Sequence, residues 1–243
     1  MAYRFTRDWF SHNIPSWQRW LANLSGKPGL RALEIGSFEG RATTWLLENV
    51  LTDETSRIDC IDPFGKVYYR RFLANITPWR DRVTVHRALS TAVLPTLRGE
   101  FDIIYVDGDH RPFAILSDAV LSWPRLKVGG TLIFDDYLFV PHEFDRQLNG
   151  EWTEAAALAQ IAEYPALCPK TAIDGFLAAM TVQYELLGQD YQLALRKHAD
   201  PGADLPSLTF ATTPEDHTSR ASQPRRSRKP KPKPPKPKRG RER

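Results

Sequence analysis

R-A-L-E-I-G-S-F-E-G, from Arg31 to Gly40, sets a short apolar strand around Leu33 and Ile35 against two glycines, and a helix pattern follows over residues 41–50. A strand, a glycine turn and a helix N-terminus make a ligand cradle, because the first amides of a helix have no intrahelical acceptor and glycine lets a ligand approach the backbone. The dinucleotide fingerprint needs a further glycine midway, where the backbone touches a pyrophosphate. Ser37 and Phe38 stand there instead. A phosphate would meet side chains, which counts against a nicotinamide-dinucleotide dehydrogenase.

Downstream, strands and helices alternate with short links. Strand patterns at 57–61, 83–87, 101–106 and 131–134 are separated by helix patterns at 66–75, 91–97 and 113–123, with a turn expected at Gly129-Gly130. This alternation predicts an α/β fold, Rossmann-like, with a mainly parallel sheet and helices on both faces. Such sheets bind ligands beyond the carboxyl ends of their strands, which is where Asp62, Asp107, Asp135 and Asp136 fall. Asp62 follows Gly40 by 22 residues, a place from which an acid accepts ribose hydroxyls. Residues 181–187 and 191–197 alternate apolar and polar around Gly188-Gln189, which predicts a terminal antiparallel hairpin turning on that pair. Upstream, Asn13, Ile14 and Pro15 ahead of Trp17, Trp20, Leu21 and Leu24 predict a capped helix within an N-terminal segment, 1–27, packed on a domain at 28–198.

The 243 residues are enough for a core that needs no staples. Two cysteines, Cys60 and Cys168, are too few for a disulfide framework, and Cys60 reads as a reduced core residue. No apolar run is long enough to span a bilayer, and Arg4, Arg7 and Asp8 interrupt the stretch where a signal peptide would be apolar, so a cytoplasmic setting is expected. The net charge of +4 joins two opposites. Twelve of the 33 Lys and Arg and one of the 29 Asp and Glu lie between Arg220 and Arg243, so that segment carries +11 and the remainder −7. Residues 199–243, rich in Lys, Arg and Pro from 220, bury too little apolar surface to offset chain entropy and are expected to be a disordered tail suited to non-specific polyanion contact. Residues 138–180, with Phe139, His142, Phe144 and Trp152 and a helix from Glu154, break the strand rhythm and form a candidate substrate cover.

Four motifs in order, L-E-I-G-S-F-E-G-R-A-T-T, I-D-P-F, F-D-I-I-Y-V-D-G-D-H and L-K-V-G-G-T-L-I-F-D-D-Y, resemble those of class I S-adenosylmethionine-dependent methyltransferases. They are most similar to the small-molecule O-methyltransferase-like branch, methyltransferase domain family 24, over about residues 28–197. The resemblance implies a seven-stranded sheet whose terminal hairpin inserts one antiparallel strand, and methylation of a hydroxyl on a sugar, polyketide or phenol. It places Gly36, Ser37, Phe38 and Gly40 along the methionine portion, Asp62 on the ribose, Glu34 toward the amino group, and His86, Ala88 and Ser90 around the adenine. S-adenosylmethionine suits the residues: it has no phosphate for Phe38 to exclude, and its cationic groups would meet Glu34, a carboxylate that is costly inside a strand without a positive partner.

Metal-dependent relatives of the catechol type hold magnesium with an Asp after the fourth strand and an Asp-Asn pair after the fifth, with a lysine base three residues beyond the first Asp. Asp107, Asp135 and Asp136 stand in those places, and His110 stands at the lysine. The resemblance therefore implies a hard-oxygen Mg²⁺ site on three carboxylates, with Asp107 and His110 catalytic and His110 a neutral imidazole of ordinary pKa near 6.5. The departures are Asp for Asn and His for Lys. Two other readings stay open: methylation of RNA or another large polyanion through the tail, and a nonenzymatic cofactor-binding protein.

Overall fold

The computed structural model describes residues 3–141, 153–180 and 183–200. Its strands are β1 (Arg31–Ile35), β2 (Arg57–Ile61), β3 (Val83–His86), β4 (Phe101–Val106), β5 (Leu126–Phe134), β6 (Tyr184–Gln189) and β7 (Leu193–Lys197). They form one sheet in the order β3-β2-β1-β4-β5-β7-β6. The first five strands run parallel, and β7 lies antiparallel to both of its neighbours.

Side chains alternate across a strand with period two, and here the alternation sorts the core into two layers. Leu33, Ile35, Ile104, Val106, Leu132 and Phe134 face α4 (Ser90–Val93), α5 (Pro112–Ser122), α6 (Glu154–Glu163) and α7 (Pro169–Ala179). Ala32, Ile58, Cys60, Ile103, Tyr105 and Ile133 face the opposite way, toward α1 (Ile14–Trp20), α2 (Arg41–Asn49) and α3 (Lys66–Asn75). Trp17 of α1 is fully buried, with its ring edge-on to Trp45 and Tyr105 at 5.6 and 4.8 Å. Cys60 and Cys168 are buried free thiols.

Three local expectations are corrected. Gly129-Gly130 is not a turn, because β5 runs through it from Leu126. The pairing with β4 jumps from Phe101↔Leu126 to Ile103↔Thr131, so the glycines form a bulge, and Gly129 takes φ +85° there. Gly188-Gln189 is not the hairpin turn either, since both residues pair with β7 and the loop is Asp190, Tyr191 and Gln192. A Cβ at Gly188 would lie 2.5 Å from Trp20 Nε1, so this glycine lets α1 pack on the strand. Asn13 does not cap α1. It continues a helical turn from Ser11, and its Nδ2 has no hydrogen-bond partner.

The β3–α4 region is also shorter than expected, with the strand ending at His86 and the helix spanning Ser90–Val93. His142, Phe144 and Trp152 of the expected cover, and the tail from residue 201, lie outside the described residues. Among the described residues no helix is long and apolar enough to cross a membrane.

Candidate active site

β1 and β4 are neighbours whose onward connections leave in opposite directions, so a crevice opens between their carboxyl ends. Gly36 sits at its floor with φ +88°, and a Cβ added there would lie 1.8 Å from the Asp107 carbonyl oxygen. The turn that follows is tied to β2. Asp62 Oδ2 accepts from the Ser37 and Phe38 amides at 3.0 and 2.9 Å, and Oδ1 accepts from the Phe64 amide at 2.6 Å. Asp62 therefore shapes the glycine turn while bordering the crevice. Gly40 serves packing: a Cβ there would come within 3.0 Å of the Phe72 ring. Phe38, Phe64 and Asp136 adopt positive φ of 45°, 43° and 56°, all within three residues of a strand end at the crevice, so backbone strain gathers at its rim.

Glu34 lies behind the turn, 1% exposed and outside the crevice lining. Its Oε2 accepts from the Ser37 hydroxyl at 2.9 Å, from Thr43 and from the Cys60 thiol at 3.4 Å, so neutral donors meet the charge for which a cation was expected. Burial raises its carboxyl from the ordinary 4.5 to about 7. The folded chain thus keeps a proton that the unfolded chain releases. The contribution to stability is fully present below about pH 4.5 and is lost as pH rises through about 7. Relative to Glu34→Gln, the wild type is expected to lose about 3 kcal/mol of unfolding free energy across that interval. Urea titrations of both proteins at several pH values measure it, and a difference that stays flat would mean that Glu34 is ionised in the fold.

The acid cluster occupies the ends of β4 and β5. Tyr105 OH reaches both Asp107 Oδ2, at 3.0 Å, and Asp135 Oδ2. One hydroxyl carries one proton, so two ionised carboxylates leave one of these contacts without a donor. Burial, then the neighbouring carboxylates, push the Asp107 and Asp135 carboxyls upward. Asp135 Oδ1 accepts from Gln192 Nε2 at 3.0 Å and from the Asp136 amide at 2.8 Å, so both of its oxygens are engaged by protein. Asp136, in left-handed backbone, is turned differently. Its Oδ2 lies 2.9 Å from His110 Nε2, and its Oδ1 accepts from Tyr191 OH at 2.5 Å.

The ligand set gathered by the fold is Asp107, His110 and Asp136, which offer one atom each within 4.8 Å of one another. The expected trio had Asp135 where His110 stands. His110 also departs from the expected neutral imidazole: burial lowers its pKa, but the hydrogen bond to Asp136 and the charges of Asp136 and Asp135 outweigh it and hold the pKa above 6.5.

The crevice measures about 1170 Å³. Ligand pockets commonly hold about 300–1,000 Å³, so there is room for a donor and an acceptor together. Seven aspartates and two histidines line it, with no Lys or Arg among the described lining residues. Asp8, Trp9 and His12 of the N-terminal segment form one wall. Buried Glu39 holds that segment by accepting from Thr6 N and Oγ1 at 2.6 and 2.8 Å, while Arg71 pairs with it at 2.7 Å. Trp9 stacks on Phe38 at 5.1 Å. Ser90, Asp62, Phe38 and Gly36 of the expected cofactor residues border the crevice, whereas Ser37, Gly40 and Glu34 support it from behind. His86 is turned away to Asp59 Oδ1 at 2.8 Å. Sequence reading passed over Asp8, Trp9, His12, Asp118 and Tyr191 as lining residues. Tyr191 OH on Asp136 is a long-range contact with no local signal.

Sheet order, with β7 antiparallel between β5 and β6, is that of the class I S-adenosylmethionine-dependent methyltransferase fold. Residues 33–137 match the family model described as a methyltransferase domain. O-methyltransferase hkm8 of Aspergillus hancockii is 28% identical over 142 residues, which cover 56% of this chain and 54% of that protein. An uncharacterized protein of Acanthamoeba polyphaga mimivirus is 29% identical over 125 residues, covering 48% and 56%. The chain thus spans about half the length of either relative. Among solved structures, a putative rRNA-methylase from Clostridium thermocellum superposes with TM-score 0.57 at 12% identity, covering 77% of this chain and 97% of that one. The MycE methyltransferase of the mycinamycin pathway, in complex with Mg and SAH, gives 0.55 at 13%, covering 83% and 53%. At such identities the structures share the fold.

Proposed function

We propose that the chain transfers a methyl group from S-adenosylmethionine to a hydroxyl of a small molecule. One observation carries this reading: a crevice at the switch point whose described lining holds seven aspartates and no Lys or Arg. It suits a ligand bearing an ammonium and a sulfonium, and it disfavours a pyrophosphate or a phosphodiester. The relative hkm8, an O-methyltransferase by name, supports the hydroxyl as acceptor.

In this reading Asp62 accepts ribose hydroxyls with the lone pairs that the loop amides leave, Gly36, Ser37, Phe38 and Gly40 shape the turn at the methionine end, and Ser90 adjoins the base. Glu34 acts through Ser37, whose hydroxyl it orients. S-adenosylmethionine supplies the electrophilic methyl when bound. Asp136 holds His110 at Nε2, which leaves Nδ1 to take the acceptor proton, with Tyr191 fixing the other oxygen of Asp136. Trp9, His12, Phe139 and Tyr191 wall the acceptor side, where a sugar, polyketide or phenol would lie.

A second reading rests on the cluster of Asp107, His110 and Asp136. A divalent cation held there, Mg²⁺ by the hardness of the carboxylates, would supply the charge that acidifies the acceptor hydroxyl. His110 is then a ligand rather than the base. RNA as acceptor would depend on the 220–243 segment, since the described lining residues include no Lys or Arg.

Isothermal titration with S-adenosylhomocysteine and NAD tests the donor, and labelled methyl transfer to pooled hydroxyl compounds tests the reaction. Binding of S-adenosylhomocysteine without NAD, and a labelled ether product, are expected. Binding of NAD alone would overturn the proposal, and cofactor binding with no product from any acceptor class would favour the nonenzymatic reading.

A further inference from the structure

Gln192 lies in the loop joining β6 to β7, fully buried and outside the crevice lining, and both ends of its amide are engaged. Trp17 Nε1 of α1 donates to its Oε1 at 2.7 Å, and its Nε2 donates to Asp135 Oδ1 at 3.0 Å. An indole N–H can only donate, so it holds the carbonyl end toward α1 and leaves the NH₂ end for the carboxylate. Asp190 anchors the same loop, accepting from the Ser16 hydroxyl of α1 at 2.5 Å and from the Gln192 amide at 2.9 Å. Asp135 Oδ1 also accepts from the Asp136 amide, and Asp136 is the residue held in left-handed backbone at φ +56°. A buried chain of hydrogen bonds therefore runs from α1 through Gln192 to the backbone that turns the Asp136 carboxylate to His110.

We propose that Gln192 is a positioning residue for methyl transfer, ordering the Asp135–Asp136 turn, and that Trp17 sets its orientation from the N-terminal helix. This rests on the reading in which Asp136 and His110 serve the reaction. Since α1 follows directly on the segment whose Asp8, Trp9 and His12 wall the crevice, the acceptor wall and the acid pair share one support. Methionine at position 192 keeps the length of glutamine but cannot donate to Asp135. In Trp17→Phe the amide stays and loses only the contact that orients it, so its oxygen is free to face the carboxylate.

The test measures kcat, S-adenosylhomocysteine affinity and amide hydrogen exchange in the wild type, Gln192→Met, Trp17→Phe and the double variant. Gln192→Met is expected to lower kcat by at least about tenfold and to change affinity by less than about threefold, because a misplaced reacting group costs rate rather than donor binding. Exchange over residues 135–140, where the amides of Asp136, Leu138 and Phe139 are bonded, should rise by at least about tenfold, and exchange over 31–50 should not. Trp17→Phe should lower kcat by about fivefold alone and by no more than about twofold on top of Gln192→Met, since residues acting through one contact are not additive. Effects of the two that multiply overturn the link to α1. A fall in affinity as large as that in kcat, or exchange over 135–140 that stays at the wild-type rate, overturns the positioning role. Should Trp17→Phe not fold, unchanged kcat and exchange in Gln192→Met overturn the inference without it. Absence of methyl transfer by the wild type overturns the reaction reading, and exchange over 135–140 then decides whether Gln192 orders the turn.

Discussion

Gly36→Ala is expected to cost at least about 4 kcal/mol of folding stability and to remove measurable binding of S-adenosylhomocysteine. Two penalties add. The position has φ +88°, where a Cβ costs about 1–2 kcal/mol in any surroundings, and that Cβ would also lie 1.8 Å from the Asp107 carbonyl oxygen. The obstacle is backbone, so no side chain can rotate aside. Relief requires the carboxyl ends of β1 and β4 to part, and both are fastened there: Gly36 N donates to Ile61 O and Asp107 N to Ile35 O, each at 2.8 Å. Parting them moves Asp107 and the turn held by Asp62 together, so affinity and stability should fall in one step. Gly29→Ala is the control, with φ +68° but nothing within 4 Å of the added carbon, and only the conformational penalty is expected. Urea unfolding and isothermal titration measure both effects. A Gly36→Ala protein within about 1 kcal/mol of wild type would mean that the crevice floor is not closed as described.

Strands β1 to β4 and the acids that follow them were legible because local periodicity and short links dictate them. Glycine roles were less so. Gly188 and Gly129 read as turn residues because a turn is the commonest use of glycine, yet one accommodates the Trp20 indole and the other a bulge, demands set by elements distant in the chain. The acid pair was less legible for a related reason. Asp135 and Asp136 are adjacent and chemically identical, but Asp135 is enclosed by Tyr105 and Gln192, while the left-handed backbone of Asp136 turns its carboxylate to His110 and Tyr191. Sequence names the residues at a strand end, and only the backbone beyond it decides which partners each carboxylate meets. Trp9, His12 and Tyr191 meet across more than 170 residues of chain, a juxtaposition no local pattern encodes.

Asp136→Asn is accordingly expected to lower kcat by about 10³-fold while changing S-adenosylhomocysteine affinity by less than about threefold. The carboxylate bridges two groups, His110 Nε2 at Oδ2 and Tyr191 OH at Oδ1, and an amide can accept from only one of them. Whichever way it turns, its NH₂ faces a former donor and the imidazole loses the charge that holds it. If His110 is the base, its orienting partner is gone; if a cation binds Asp107, His110 and Asp136, one of two anionic ligands is gone. Asp135→Asn separates the direct contact from charge, because Asp135 acts on His110 through its charge and the Asp136 amide at 2.8 Å, whereas Asp136 lies against the imidazole itself. Its loss of kcat should be smaller than that of Asp136→Asn. Manganese then divides the two readings. At a hundredfold excess over its dissociation constant, a cation bound to the native state adds about 2.7 kcal/mol of stability. That gain should appear in wild type and vanish in Asp136→Asn if the cluster is a metal site, and be absent from both if His110 is a base. Retention by Asp136→Asn of more than a tenth of wild-type kcat would exclude the His110–Asp136 pair from the reaction in either form.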